Sequence, residues 1–553
     1  MFSKKKTTED LALNEEGPIE DRLRSCIHER APLGPCDAAD ITDPEVAARL
    51  FDPHNKSYNS LLRRDLSVVI GRRGSGKTAL VTSYKYRPYL DNYHGSLATS
   101  RSADVSGYEV VIEVSTHKKF EELQRRVVKD DAIFRPIESV VDDWAKVITD
   151  YFVASLLSNV KTDNNYSDDV ALMHQYLIQD DSEYEERVRK EIWGEPLWAG
   201  IKALGRGNKG FTAQHISQDQ VMKTATSYLR HEKKEAVILF DSMDEYPIGN
   251  KTFDRTIGAL VRFISRFNNR YTGVRIKLVL PSEIFPEVQR ASGNPLKDMV
   301  SFDQVHWSPL ELMRMAAHRY KIFLSLYDPE WDELQHLDLS RRDDVHRFWA
   351  RLLPKTQVNR YGAEEETVIY ILRHTHLLPR QLLRILEKII MQSHDKTGGY
   401  RKLNSDSVRK AIEQMELVIA GEIFKAFERV YPHADRFGRA LFGNFPTVFS
   451  FDQFETQWRR HVRKYMHSLA VDIEMVEFAD MFIRMGIVGL IVPEKETERY
   501  YQGKFGYGVP VPFNIGSGHE LCLHPIFSKT FNASGNLKSK AILPQDITLD
   551  DDD

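Results

Sequence analysis

One segment constrains this chain more than any other. Gly71-Arg72-Arg73-Gly74-Ser75-Gly76-Lys77-Thr78 has the spacing G-x-x-x-x-G-K-[ST] of a phosphate-binding loop, or P-loop. The apolar run 66–70 before it predicts a strand, and residues 78–86 after it predict a helix. A strand, a loop and a helix in this order are the setting in which the motif folds as a P-loop. The alternative, a glycine-rich turn with an unrelated lysine, is disfavoured by both flanking elements.

The residue types of the loop suit a nucleotide. Glycines let successive backbone N–H groups turn inward around a phosphate, and the helix N-terminus adds a partial positive charge. Lys77 is expected to reach the β- and γ-phosphates, and the Thr78 hydroxyl to hold Mg²⁺. The side chains of Arg72 and Arg73, which lie inside the loop, are unexplained: they are either solvated or in contact with a neighbouring subunit. The predicted nucleotide-binding set is Gly71, Arg72, Arg73, Gly74, Ser75, Gly76, Lys77 and Thr78.

Composition excludes several classes of protein. A net charge of −4 over 553 residues gives no global basic field, so nucleic-acid binding requires a local patch. The three cysteines form no C-x-x-C pair and are odd in number, which argues against a disulfide framework and for a reducing compartment. The N-terminus lacks the apolar core of a signal peptide, and no run of about 18 apolar residues occurs. We therefore expect a cytoplasmic protein without a membrane span.

Further strands are predicted by apolar, β-branched runs at 108–114, 236–240, 275–280 and 300–306. Run 236–240 is continuously apolar, which is typical of a strand buried on both faces of a parallel sheet. Helical patterns, such as 253–267, separate the strands. This alternation predicts an α/β fold with a parallel sheet.

Helical patterns dominate two other regions. Residues 118–230 predict a helical insertion in a nucleotide domain that spans 43–308, with candidate helices at 118–128, 137–160, 168–178, 182–193 and 218–232. Residues 309–425 predict a helical lid, with candidate helices at 310–326, 364–374 and 380–393. A polar, partly disordered arm, 1–42, precedes these regions.

The pattern changes at about residue 426. Helices at 451–467 and 472–485 precede β-rich stretches at 486–492, 507–513 and 520–524. Helices followed by a β-hairpin predict a winged-helix-like domain over 426–535. An acidic tail, 536–553, completes the chain.

An acidic segment supplies the expected partner of the P-loop. Asp241 follows the apolar run 236–240, and Asp244 and Glu245 lie just beyond Asp241 in the same segment. Asp241 is expected to hold the water shell of Mg²⁺, and Asp244 or Glu245 to orient the attacking water. The alternative is a loop of solvated acids after a core strand, which the upstream P-loop disfavours. No N-K-x-D guanine motif occurs, because Asn250-Lys251-Thr252 is followed by phenylalanine.

Three segments together, GRRGSGKT, ILFDSMDE and LLPRQLLR, resemble the STAND signal-transduction ATPases and their initiator-like AAA+ relatives, in particular stand-alone bacterial P-loop ATPases. The resemblance covers roughly residues 45–425 and, more weakly, the C-terminal region. It implies a P-loop NTPase sheet in the order 5-1-4-3-2, a helical lid, ATP rather than GTP, and an ATP-dependent conformational switch. Proteins of this kind often act in anti-phage defence, which makes bacterial antiviral defence the implied role.

The resemblance also assigns residues. Lys77 and Thr78 match the phosphate and Mg²⁺ positions, Asp241 the magnesium aspartate, and Asp244 or Glu245 the hydrolytic carboxylate. Ser282 follows the fourth strand at the sensor position, where the family often has an arginine; this chain has Glu283 nearby instead. Pro379 matches the lid proline, and Arg380 is then placed to reach the γ-phosphate. Arg290 precedes the fifth strand, where relatives carry an arginine finger. Both arginines have a simpler interpretation, as solvated charges at helix ends.

One basic cluster lies in the C-terminal region. At helical spacing, Arg459 shares a face with Arg463, and Arg460 with Lys464. Such a face is suited to DNA phosphates. The alternative is a solvated helix face on which Glu455 pairs with Arg459.

Three functions remain open at this stage. The first is a Mg-ATP-dependent switch that acts through a partner protein or self-assembly. The second is an ATP-dependent DNA-binding initiator or loader. The third is a scaffold with slow or partner-stimulated hydrolysis, whose helical insertion recognises a ligand.

Overall fold

The computed structural model describes residues 17–52, 66–94, 108–114, 135–158, 168–179, 190, 198–199, 201, 215–241, 251–292, 302–328, 332–469, 473–507, 515–533, 540–545 and 547. The chain divides into two compact units. The sheet unit comprises 59–73 and 99–305, and the helical unit comprises 1–58, 74–98 and 306–553. Among the described helices, none has both the length and the apolar character needed to cross a bilayer. The predicted domain boundaries remain predictions.

The sheet unit is built on five parallel strands. They are β1 (Val68–Gly71), β2 (Tyr108–Val114), β3 (Lys234–Phe240), β4 (Val274–Pro281) and β5 (Phe302–Gln304). Their spatial order is β2-β3-β4-β1-β5, and every neighbouring pair is parallel. Listed from the other edge, this is the predicted order 5-1-4-3-2. The predicted α/β fold class is confirmed.

Burial on both faces explains the composition of the central strands. Every residue of β1 is buried, and β3 is buried from Ala236 to Phe240. Strands covered on both sides need continuous apolar runs rather than alternation. The helices of this unit are α5 (Ile137–Ser158), α6 (Asp168–Ile178), α7 (Gln218–His231), α8 (Lys251–Arg270) and α9 (Phe285–Ser292).

Helix α5 joins the insertion to the sheet core. Trp144 on α5 is fully buried, and its indole N–H donates a 2.9 Å hydrogen bond to the carbonyl of Thr256 on α8. Three predicted insertion helices match α5, α6 and α7 within two residues. The candidates at 118–128 and 182–193 lie outside the described residues, apart from Lys190.

The first part of the helical unit contains α1 (Ile19–Cys26), a 3₁₀ turn (Ala38–Asp40), α2 (Pro44–Leu50), α3 (Lys77–Lys85) and α4 (Arg87–His94). Helix α3 follows the P-loop, where a helix was predicted. The 3₁₀ turn packs against α3. The Asp37 side chain caps the turn by accepting a hydrogen bond from the Ala39 backbone N–H.

Helices form the middle of this unit, as predicted for residues 309–425. They are α10 (Pro309–Tyr327), α11 (Arg342–Leu352), α12 (Thr367–Leu372), α13 (Pro379–Thr397) and α14 (Ser405–Phe427). Helix α10 begins at a capping box of Ser308 and Glu311. Helix α13 begins with Pro379 and ends at Gly398, which has a positive φ.

The predicted helix 364–374 is wrong in its first part. Residues Glu364–Glu366 form β7, which pairs antiparallel with β6 (Thr356–Val358). The buried carboxylate of Glu365 accepts two hydrogen bonds, of 2.7 and 2.9 Å, from the guanidinium of Arg373. This interior partner stabilises an extended conformation in a run of glutamates that locally favours helix.

The C-terminal part of the unit is more β-rich than predicted. Its five strands are β8 (Val448–Ser450), β9 (Val488–Ile491), β10 (Tyr500–Phe505), β11 (Glu520–Leu523) and β12 (Ala541–Pro544), in the order β12-β10-β9-β11-β8. The β9–β10 pair is antiparallel, so a hairpin is present, but β10 lies before the predicted stretch 507–513. Residues 508–514 are outside the described part.

The helices of this part are α15 (Ala434–Phe442), α16 (Phe451–Gln457), α17 (Arg463–Ser468) and α18 (Met475–Arg484). The predicted continuous helix 451–467 is interrupted by a π-helical turn at Trp458–Val462, between α16 and α17. A winged helix remains a prediction for this region.

Candidate functional site

The boundary between the two units falls within the P-loop. Gly71, Arg72 and Arg73 belong to the sheet unit, whereas Gly74 to Thr78 belong to the helical unit.

In the sheet unit, Asp241 and Ser282 lie at the carboxyl edge of the sheet. Gly71 at the end of β1 is in register with Pro281 of β4, and the Ser282 backbone N–H donates a 3.0 Å hydrogen bond to the Gly71 carbonyl. Asp241 directly follows β3, the strand on the other side of β4, and is buried. The carboxyl edge of parallel strands is where open α/β sheets bind ligands. Gly71, Ser282 and Asp241 therefore share the edge expected of a nucleotide site.

Glu283 contacts the loop in a way that the sequence did not reveal. Its buried carboxylate accepts a 2.8 Å hydrogen bond from the Arg73 backbone N–H. In the sequence, Glu283 stands out only as a departure from the arginine of relatives. The structure gives it a role: it fixes the backbone of the first half of the loop. Arg72, next to Arg73, is buried rather than freely solvated.

In the helical unit, the second half of the loop has the conformation that the motif requires. Gly74 and Gly76 have φ values of +86° and +89°, which residues with a Cβ rarely adopt. Lys77 is buried at the first residue of α3, with Thr78 next to it. The N-terminus of α3 and the loop N–H groups thus face the position where a phosphate is expected.

Ser75 provides a test of whether this half of the loop fits a phosphate. Its side chain is buried, and its hydroxyl Oγ has no hydrogen-bond partner in the described part of the structure. A buried hydroxyl without a partner is costly, and a phosphate oxygen is an acceptor that it can use. The residues present therefore fit a nucleotide phosphate.

Two residues distant in sequence hold this half of the loop. The buried indole of Trp307 donates a 2.8 Å hydrogen bond to the Ser75 carbonyl, and a Cβ on Gly76 would lie 3.7 Å from the same indole. Arg380 lies against Gly74: its backbone N–H is 3.4 Å from the Gly74 carbonyl oxygen, and a Cβ on Gly74 would lie 3.3 Å from the Arg380 Cβ. The beginning of α13 is thus packed on the loop, and the lid roles of Pro379 and Arg380 remain predictions.

The guanidinium of Arg380 has a partner that no local sequence pattern predicts. Its Nη2 donates a 2.8 Å hydrogen bond to Oδ2 of Asp37, at the 3₁₀ turn of the arm. Asp37, Glu283 and Trp307 were all missed by the sequence argument. No local pattern marks them, because their relation to the loop exists only after folding.

The remaining predicted residues are placed as follows. Asp244 and Glu245 lie outside the described residues, so their hydrolytic role stays a prediction. Arg290, the arginine-finger candidate, is exposed on α9 and pairs with Glu287 at 2.6 Å.

The basic cluster lies on and after the π-helical turn, with Arg459, Arg460, Arg463 and Lys464 all exposed. Arg459 pairs with Glu455 at 2.7 Å, as its simpler interpretation predicted. For Arg460, Arg463 and Lys464, the described part of the structure shows no ion pair.

Comparisons with known proteins add little to this geometry. No family model matches the chain, and no curated protein sequence matches it. Among solved structures, the Aeropyrum pernix ORC2 protein in ADPNP–ADP complexes is 12% identical with a TM-score of 0.37, over 88% of this chain and 91% of that chain. The Aeropyrum pernix ORC1 protein in complex with DNA is 10% identical with a TM-score of 0.32, over 88% and 93% respectively. Drosophila ORC bound to DNA is 10% identical with a TM-score of 0.29, over 90% and 93%.

At TM-scores below 0.5, these likenesses decide neither fold nor function. The fold assignment rests on the strand order and pairing described above.

Proposed function

We propose that this chain is an initiator-like AAA+ P-loop ATPase of the STAND type, which binds Mg-ATP and hydrolyses it to drive a conformational switch. One observation carries the proposal. The loop has two glycines with positive φ, a buried serine hydroxyl that has no hydrogen-bond partner among the described residues, and a lysine at the start of the following helix. These features fit a phosphate and have no other evident use.

Bound Mg²⁺ neutralises charge on the phosphates and orients them. In this proposal Lys77 binds the β- and γ-phosphates, and Thr78 and Asp241 hold the Mg²⁺ site. Burial of Asp241 at the sheet edge keeps its carboxylate in a fixed position. Ser282 lies on the same edge, and in this proposal it contacts the nucleotide there.

Hydrolysis requires an activated water. The water oxygen bonds to the γ-phosphorus while the bond to the β–γ bridging oxygen breaks, and ADP leaves with that electron pair. The water proton passes to a carboxylate, for which the sequence offers Asp244 or Glu245. Alanine variants at these two positions should bind ATP normally, and at least one should lose turnover.

The switch is proposed from the contacts of α13. The Arg380 backbone N–H donates a hydrogen bond to the Gly74 carbonyl, so a change in the loop on nucleotide binding would move the start of α13 directly. The output is a partner protein or self-assembly, and the proposed setting is antiviral defence in bacterial cytoplasm. Mass photometry with ADP and with ATP tests self-assembly: a shift in mass with ATP alone is the expected result.

A titration with fluorescent ATP, with and without Mg²⁺, tests the central claim. Lys77→Ala should weaken binding by about 10- to 100-fold, since a hydrogen bond to a charged group contributes about 1.5–3 kcal/mol. Lys85→Ala is the matched control, because it removes an exposed lysine from the other end of the same helix. Wild-type protein that binds no better than Lys77→Ala would exclude the proposed site.

A second candidate function is favoured by one observation. Three exposed cations, Arg460, Arg463 and Lys464, lie together at a π-helical turn, and such turns often mark functional sites. We propose DNA binding through this cluster as the alternative, in an initiator or loader. DNA affinity should then fall steeply with salt, and Arg459→Glu combined with Arg463→Glu should abolish it. Unchanged affinity in that double variant would remove this alternative.

A further inference from the structure

Arg380 is bound at both ends: its backbone contacts the loop, and its guanidinium contacts a carboxylate. Its backbone N–H donates a 3.4 Å hydrogen bond to the Gly74 carbonyl, whereas its guanidinium donates a 2.8 Å hydrogen bond to Asp37. The Arg380 side chain therefore starts next to the loop that is proposed to bind the phosphates. In this structure its charged end is instead bound to an acceptor supplied by the chain itself.

That acceptor is the carboxylate of Asp37, whose two oxygens have different partners. Its Oδ1 accepts the Ala39 N–H and thereby caps the 3₁₀ turn, which leaves Oδ2 to bind Arg380. The turn packs on α3, the helix that follows the loop. The next arginine of α13, Arg384, pairs with a different carboxylate, that of Glu422. The Asp37 carboxylate pairs with Arg380.

The Asp37–Arg380 ion pair is weak enough for Arg380 to exchange Asp37 for another anion. The side chains are 48% and 32% exposed, and a single hydrogen bond joins them rather than a bidentate pair. Exposed pairs of this kind contribute little to stability. A phosphate group carries more charge than one carboxylate, and the guanidinium fork matches its geometry.

We propose that Asp37 competes intramolecularly with the γ-phosphate for Arg380, and so lowers the affinity of the site for ATP relative to ADP. Nucleotide triphosphate binding exchanges the carboxylate of Asp37 for a phosphate oxygen on the same guanidinium. Release of Asp37 then frees the 3₁₀ turn of the arm to respond to the nucleotide. This inference rests on the proposed function and specifies how the same site distinguishes ATP from ADP.

Asp37→Asn is the sharpest test, because asparagine caps a helix as well as aspartate does but carries no charge. Dissociation constants for ADP and for a non-hydrolysable ATP analogue are measured with Mg²⁺ by calorimetry. The variant should bind the ATP analogue up to about fivefold more tightly, the range of an exposed ion pair, with ADP affinity unchanged. Asp37→Ser, a second capping residue without charge, should behave alike.

Two controls make the outcome specific. Asp40→Asn removes an exposed charge from the same turn and should change neither constant. In an Arg380→Ala background, Asp37→Asn should give no gain, because the competition is gone. ATP affinity that is unchanged or lower in Asp37→Asn, a gain equal for both nucleotides, or a gain that persists without Arg380 would overturn the inference. Failure of the proposed function is distinct, because wild type would then bind no more tightly than Lys77→Ala.

Discussion

The indole of Trp307 and the backbone carbonyl of Ser75 are joined by a 2.8 Å hydrogen bond, although the two residues lie far apart in sequence. A P-loop binds phosphate through its N–H groups, so its carbonyls must point elsewhere and find other donors. Trp307 supplies one such donor from the chain that follows β5. The indole thereby sets the orientation of the peptide groups that surround Ser75.

Trp307→Phe keeps most of the ring and removes the donor. We expect ATP binding to weaken by roughly 2- to 10-fold, because the loop loses a hydrogen bond of about 0.5–1.5 kcal/mol. Trp349→Phe is a matched control, since the Trp349 indole donates a comparable 3.0 Å bond to the buried Met313 carbonyl on α10. Both variants should lower the thermal midpoint, but only Trp307→Phe should change the nucleotide titration. Equal ATP affinity in the two variants would contradict a role for Trp307 in the loop.

Glu283 should act on the first half of the loop. Glu283→Ala leaves the Arg73 N–H without the carboxylate that it now contacts at 2.8 Å, so ATP affinity should fall several-fold. Glu283→Gln retains an oxygen acceptor and should stay close to wild type in the same fluorescence titration. Glu287→Ala, which breaks the surface pair with Arg290, serves as the control for a nearby lost carboxylate. Equal defects in Glu283→Gln and Glu283→Ala would mean that the charge of Glu283, rather than its oxygen acceptor for the loop, matters at this position.

Gly74 should tolerate no side chain. Gly74→Ala must place a Cβ at φ +86° and 3.3 Å from the Arg380 Cβ, so it combines a backbone cost of about 1–2 kcal/mol with crowding at the loop. Gly398→Ala is the control, because Gly398 has φ +67° but nothing within 4 Å of its added Cβ. Chemical denaturation should show a larger loss of stability for Gly74→Ala. Nucleotide binding should be lost in Gly74→Ala and kept in Gly398→Ala.

Local sequence patterns were sufficient for the central strands and for the loop. Continuous apolar runs such as Ala236–Phe240 can only be buried, and the motif at Gly71 fixes a strand before it and a helix after it. The strand order came from resemblance to a family rather than from spacing. The structure has that order, with β1 between β4 and β5, the last two strands of this sheet in the chain.

Contacts between distant residues account for what the sequence did not reveal. Glu365 lies in a strand because Arg373 neutralises it in the interior, and no helix propensity anticipates that pairing. Trp307 and Glu283 contact the loop, and Asp37 contacts Arg380, from three separate segments. Each is chemically ordinary in its own neighbourhood, so these contacts are visible only in three dimensions.

The Glu365–Arg373 pair should be far more important for stability than a surface pair of similar geometry. The two side chains are 1% and 3% exposed, and removal of one partner leaves an uncompensated buried charge. Arg373→Ala should cost about 3–5 kcal/mol in chemical denaturation. The control is Arg401→Ala: Arg401 also makes two 2.7 Å hydrogen bonds to one carboxylate, that of Asp328, but these side chains are 49% and 19% exposed. Its loss should cost at most about 1 kcal/mol. Similar losses in both variants would contradict this argument.

Acid should destabilise the chain through its buried imidazoles. Burial lowers the pKa of His174, whose Nε2 donates a 2.7 Å hydrogen bond to the Ile201 carbonyl. Because the unfolded chain keeps the ordinary imidazole pKa of about 6.5, it takes up the proton first as pH falls below that value. The stability contributed by neutral His174 is therefore complete above about pH 6.5 and decreases on acidification, by at most about 1.4 kcal/mol per pH unit.

His174→Gln removes this titration, and its amide can still donate to the carbonyl. Its free energy of unfolding should therefore fall less than that of wild type between pH 7.5 and pH 5.5. His461→Gln, which replaces an exposed histidine, is the matched control and should follow wild type. Denaturant titrations at the two pH values measure all three proteins. A wild-type slope in His174→Gln would show that the proton is taken up elsewhere, for example at His306, where burial also lowers the pKa.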